Sequence, residues 1–179
     1  VNADGIATLT SADLANLKIT PPANSDADFT LQVSATSSEG ATIATSAPVN
    51  LAVTVNAVAD TPTVTVTAAA GAEDTNIPLN ISSALADADG SESISAITIT
   101  GVPSGATLSA GTNNGNGTWT LTPAQLNNLT IRPGANNADD FTLQVKATST
   151  EAAGGSATSA PVNLSATVTG VAEIGSAHV

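Results

Sequence analysis

The chain contains no cysteine, methionine or tyrosine, and only one tryptophan and two phenylalanines. Without thiols there is no disulfide and no thiolate nucleophile, so neither stability nor chemistry can rest on sulfur. Basic residues are almost missing as well: three Lys and Arg stand against fifteen Asp and Glu, a formal net charge of −12. Such a surface cannot neutralise phosphate, which argues against nucleic acid as a partner and disfavours anionic membranes. Multivalent cations are its natural counterpart. No apolar run approaches the roughly 20 residues of a membrane span, so direct membrane insertion is not expected. The single histidine, His178, sits in the terminal GSAHV stretch, and no Ser-His-Asp set, phosphate loop or nucleophile elbow can be built around it. A non-enzymatic role is expected. With no signal segment opening it, the sequence reads as a slice of something longer.

What the chain does have is Thr, Val, Ser and Ala in alternation, and a long internal repeat. GIATLTSADLANLKITPPANSDADFTLQVSATSSE begins at Gly5, and GTWTLTPAQLNNLTIRPGANNADDFTLQVKATSTE begins at Gly117, an offset of 112 residues. SAPVNLAVTVNAVAD from Ser46 matches SAPVNLSATVTGVAE from Ser159 at an offset of 113. The extra residue falls where EAAGGSAT replaces EGATIAT, a stretch in which a hairpin loop tolerates it. A repeat of about 112 residues divides the chain into the second half of one copy (1–58), a complete copy (59–172), and a tail (173–179) that begins the next linker or is a cloning scar.

Within the complete copy, PTVTVTA (62–68), NIPLNI (76–81), SAITIT (95–100), ATLS (106–109), TWTLT (118–122), FTLQVKAT (141–148) and APVNLSATVT (160–169) alternate apolar with polar between Gly, Asn and Pro punctuation. About seven short strands with period-two alternation predict an all-β fold, an immunoglobulin-like antiparallel β-sandwich. PAQLNNL (123–129) is expected to form one helical turn opened by Pro123, and Trp119, in phase with Leu121, is expected in the core.

The acids cluster. ADADGSES (86–93) carries Asp87, Asp89 and Glu92. At about 4 Å and an effective dielectric near 20, two like charges repel by roughly 4 kcal/mol, so a cation or open water must offset them. With strands running alternately up and down, that loop shares one end of the sandwich with Asp60 and with the hairpin bearing Glu151. Glu73, Asp74, Asp139, Asp140 and the exit residue Glu173 fall at the other end, and Asp26 and Asp28 at the corresponding end of the half copy. Turns favour Asp in any case, so one acid carries little. The set, gathered where one copy meets the next, suits a hard oxygen site for Ca²⁺, which takes six to eight such ligands. Mg²⁺ retains water and demands octahedral geometry, which makes it the weaker candidate. DADG opens like an EF-hand loop, but Thr98 stands where the bidentate Glu is needed.

The linker VTVNAVADTP, the turn EDT, the loop DADGSES and the strand FTLQVKAT together resemble the cadherin-like repeats of giant bacterial RTX-type adhesins, secreted by the type I route and active in biofilms. The resemblance implies an extracellular location on the bacterial surface and a role as an extender rod, with Ca²⁺ at the junctions between neighbouring repeats of the same chain. In those terms Asp87 and Asp89 correspond to the DxD motif, Glu73 to the acid of the first turn and Asp60 to a linker ligand. Asp26, Asp28, Asp139 and Asp140 correspond to the acidic motif before the sixth strand. The linker departs from the pattern, offering only Asn56 and Asp60. A module recognising a glycan, another adhesin or ice is the alternative reading. The half copy, carrying about three or four of seven strands, is expected either to be completed through another chain, by swapping or edge pairing into a dimer through residues 1–58, or to be left from a longer chain trimmed by protease.

Overall fold

The structure is a computed structural model that describes residues 5–87 and 90–172. It divides into two compact units, Val1–Val55 and Asn56–Val179.

The first unit holds β1 (Phe29–Val33), β2 (Thr36–Glu39), β3 (Thr42–Thr45) and β4 (Val49–Val53), preceded by a 3₁₀ turn at Asp13–Asn16. β1 pairs antiparallel with β4, Leu31 opposite Leu51, and β2 with β3 in a hairpin. None of its described residues is buried.

The second unit holds β5 (Thr63–Thr67), β6 (Ala69–Ala72), β7 (Ile77–Pro78), β8 (Asn80–Ala84), β9 (Glu92–Thr100), β10 (Thr107–Leu108), β11 (Thr112–Gly115), β12 (Thr118–Leu121), β13 (Thr130–Arg132), β14 (Phe141–Glu151), β15 (Ser156–Thr158) and β16 (Val162–Thr169). One sheet runs β11-β12-β9-β14-β16-β6, with β15 beside β14; facing it are β10-β13-β7 and the pair β5-β8. Ile97, Ile99, Leu121, Leu143, Val145 and Leu164 from the larger sheet meet Ile77, Leu79, Ile81, Leu108 and Ile131 in one apolar core. The unit is therefore all-β, two layers of largely antiparallel sheet on an aliphatic core. Burying each such side chain is worth roughly 1.5–3 kcal/mol. Trp119 lies in that core.

Every expected strand is present, and four more accompany them. β6 (AAGA) lacks the large alternating residues that announce a strand, because the space is taken: a Cβ at Gly71 would lie 2.7 Å from Ile77 Cγ1. β6 also breaks the antiparallel expectation, since it pairs parallel with β16 after the chain has crossed from the opposite layer at Ala68. β11 (TNNG) is a polar edge strand, and β13 (TIR) and β15 (SAT) are three residues each, too short for a period to register. The expected helical turn is a 3₁₀ turn at Pro123–Leu126, with Thr122 N donating to Gln125 Oε1 at 2.8 Å. It delivers Leu126 to the margin of the core and Leu129 into it. Gly117 closes the β11–β12 hairpin at φ +69°, and a Cβ there would stand 2.6 Å from Val102 O.

Candidate functional site

Along β14 the inward side chains are Leu143, Val145, Ala147, Ser149 and Glu151, an unbroken alternation that ends in a carboxylate. Its neighbour β9 points Ile99 and Ile97 inward, then changes phase. Thr148 pairs with Ala96 but Ser149 pairs with Ile94, leaving Ser95 as the extra residue of a β-bulge. Bulges re-aim side chains, and this one turns Ile94 and Glu92 inward. Without it Ser93 would take that position. Ser95 Oγ settles the bulge by donating to Thr148 O at 3.2 Å and accepting from Thr150 Oγ1 at 2.9 Å.

The outcome is Glu92 directly opposite Glu151 on adjacent strands, 6% and 5% exposed. Directly opposed side chains have Cβ atoms about 4.5–5.5 Å apart, and like charges so placed destabilise a sheet. Asp60 comes to the same place: its N–H donates to Glu92 Oε1 at 2.8 Å, and its carbonyl accepts from Ser149 Oγ at 2.6 Å. Glu92 Oε2 is buried with no hydrogen-bond partner among the described residues. A buried acceptor left so costs about 1–3 kcal/mol or more when charged. Asp87, in the loop leading to β9, is 4% exposed. Ala152 N donates to Ser91 O at 2.9 Å and ties the β14–β15 hairpin to that loop. Lys146 brings no compensation: it sits five residues back along β14, roughly 16 Å away, on the outward side.

Asp60, Asp87, Glu92 and Glu151 therefore share one end of the unit. Asp89, expected beside them, and Glu173 lie outside the described residues. Among the described residues no three Asp, Glu, His or Cys side chains close into a metal-holding group. Ser149 carried no signal of function, although a hydroxyl in phase with Val145 and Ala147 is a polar group at a core position.

Glu73, Asp74, Asp139 and Asp140 gather at the opposite end, one β14 length or roughly 33 Å away. Glu73, Asp74 and Asp140 accept from backbone N–H groups, and Asp139 from a neighbouring side chain. Asp140 Oδ1 accepts from Val168 N at 2.8 Å, and Glu73 Oε1 from Val171 N at 2.7 Å. Asp74 Oδ1 accepts a long bond of 3.4 Å from Asn136 N, while Asn137 Nδ2 reaches Asp139 Oδ2 at 3.5 Å. Asp26 and Asp28 belong to the first unit, where Asp28 Oδ1 accepts from Val55 N at 2.8 Å. That bond is the counterpart of the one between Asp140 and Val168. Outside both sets, Asp13 Oδ2 accepts from Thr10 Oγ1 and Thr10 N, which holds its carboxyl below the ordinary value of 3.8.

No protein-family model matches the chain, and neither the curated proteins nor the solved structures include a match to it.

Proposed function

We infer that the protein is an extender repeat of a bacterial surface adhesin, an immunoglobulin- or cadherin-like module that Ca²⁺ stiffens where one repeat meets the next. The observation that carries this reading is the opposed pair Glu92 and Glu151, brought inside by a bulge, with Glu92 Oε2 left without a partner. A buried carboxylate oxygen without a partner, as at Glu92 Oε2, is a liability that a cation would relieve. The oxygens at this end (Glu92 and Glu151, with Asp87 and Asp60 nearby) are of the kind a hard cation takes, and Ca²⁺ would have to draw them together, since as they stand no three described acids close into one group. Ca²⁺ would supply charge neutralisation and a crosslink among the linker, the 86–92 loop and the β14–β15 hairpin, so that the linker leaves the module at a fixed angle. Glu73 and Asp140, already bonded to backbone, are the lesser candidates. Trp119 is spent in the core and offers no stacking platform for a glycan.

Calorimetric unfolding of the full chain in EGTA, then across a Ca²⁺ titration with Mg²⁺ as control, tests the reading. At a hundredfold excess over its dissociation constant Ca²⁺ adds about 2.7 kcal/mol to the state it binds. A Ca²⁺-selective rise in Tm that Glu92→Gln and Asp87→Ala remove is the expected result. An unchanged Tm at millimolar Ca²⁺ would return these acids to the role of loop and edge residues.

A further inference from the structure

We propose that β6 and β16, the one parallel pair among the described strands, form a shear clamp that carries tension along the second unit, with Glu73 as its last rung. Only the direction of the load rests on the extender reading. In a rod under tension, force enters the unit through Asp60 at one end and leaves through residues 169–172 at the other. β5 and β6 lead away from Asp60 toward the Glu73 end, and β16 runs toward that same end. Force on the linker therefore drags β6 back toward Asp60, while force on residues 169–172 drags β16 the other way. Parallel neighbours pulled in this sense slide along each other, so their ladder is strained as a whole and must give as a whole. Pulled apart from one end, the same bonds open singly, each taking the full load in turn. A backbone bond adds little net stability in water, but resistance to force is set by the unfolding rate, which concerted loading slows.

The pair has the build that this role requires. Ala69–Ala72 is matched residue for residue with Ala166–Thr169, without a bulge. A Cβ on Gly71 would lie 2.7 Å from Ile77 Cγ1, so β6 is wedged against a side chain with no exposure and cannot swing out of line. Beyond the last matched residues the ladder continues through Glu73. Its N–H donates to Thr169 O at 2.9 Å, and its Oε1 accepts from Val171 N at 2.7 Å. A bond to a carboxylate is roughly twice as strong as a neutral one, and this one stands where the load enters β16. On the other side of β16, Asp140 Oδ1 accepts from Val168 N at 2.8 Å and pins the strand to the start of β14. The two acids lock the exit strand at the point of load.

The chain has no cysteine, so cysteines introduced in pairs give unique handles for single-molecule pulling. Val58→Cys with Ala172→Cys loads the clamp along its strands and leaves the first unit out of the load path. Asn76→Cys with Ala172→Cys loads β6 and β16 from one end, across the strands; all three positions are exposed. With both pulled in EGTA at one speed, the first pair is expected to need a severalfold higher unfolding force than the second. Glu73→Ala should lower the first force, and Glu73→Gln, which keeps an acceptor oxygen, should restore most of it. A first force no higher than the second, or one that Glu73→Ala leaves unchanged, would overturn the proposal. Should Glu73→Ala not fold, the two directions in the otherwise unaltered chain decide alone. Because both are pulled without Ca²⁺, failure of the cation reading shows separately, as an unmoved Tm in the Ca²⁺ titration.

Discussion

In the first unit Ser46 N donates to Ala35 O at 2.9 Å and Ser46 Oγ accepts from Ala35 N at 3.0 Å; in the second, Ser159 and Ala147 form the same two bonds at the same lengths. Asp28 clamps Val55 as Asp140 clamps Val168, and the hydroxyl pair Thr36–Thr45 recurs as Thr148–Thr158. Yet Ala35 is exposed and Ala147 is not exposed at all. Hydrogen-bond pattern, turn and register are written into the second half of the repeat by itself. Burial is not, because it needs the opposing layer that residues 62–116 provide. Backbone bonds in water contribute little net stability, whereas the same bonds behind a packed layer are costly to lose. The two units separate these contributions in one chain.

Core truncation should break the comparison most. Leu164→Ala is expected to destabilise the second unit by about 2–5 kcal/mol. Its counterpart Leu51→Ala, at a position already 52% exposed, should cost the first unit far less. Equal losses would mean that the first unit is covered after all.

The Glu92–Glu151 end comes next. Glu92→Gln should raise Tm in EGTA, since it removes one of two opposed buried charges, and should abolish the response to Ca²⁺. The corresponding pair cannot form in the first unit, where Glu39, the counterpart of Glu151, is exposed on a hairpin with no β9 equivalent beside it. Glu39→Gln is expected to change neither quantity.

A smaller contrast lies in the paired serines. Ser159→Ala strands the buried Ala147 N–H and is expected to cost about 1–3 kcal/mol, measured by denaturant unfolding. Ser46→Ala, whose partner is open to water, should cost nothing measurable in the same assay.

Much of this was legible in advance, and the misses have physical causes. The large alternating residues announced seven strands, and the repeat drew a division close to the one between the two units. The strands that escaped notice are those in which tertiary packing replaces periodicity: Gly71 and its alanines fit against Ile77, and Ile131 is one buried residue in three. The acids were found by composition and placed by strand parity, which brought Asp60 and Glu151 to one end. Parity alone would have put Glu92 on the outer side of β9, in the phase opposite to Ile97 and Ile99. Only the bulge at Ser95 turns it inward, and a bulge leaves no mark in a single sequence beyond one extra residue. The clamping roles of Asp140 and Glu73 were also invisible, because a carboxylate held by a backbone N–H reads in sequence like any other loop acid.

The least effect is a titration. Thr10 N donates to Asp13 Oδ2 at 2.7 Å, and Thr122 N to Gln125 Oε1 at 2.8 Å, at equivalent positions. Because the Asp13 carboxyl is held below 3.8, its bond is present above that pH and is lost as pH falls through the lowered value. The Thr10 amide resonance should titrate on acidification below pH 3.8 while that of Thr122 stays fixed. Parallel behaviour of the two amides would show that protonation of Asp13 does not govern the Thr10 bond.

The most direct measurement of the central claim is amide exchange of the full chain in EGTA and in Ca²⁺, residue by residue. Binding at the Glu92–Glu151 end should slow exchange at Asp60, in the 90–92 segment and across the 151–155 hairpin turn. Residues 73–75, residues 136–140 and the Glu39 hairpin of the first unit should be unchanged. Protection confined to the Glu73 and Asp140 end, or no change anywhere at millimolar Ca²⁺, would contradict the account.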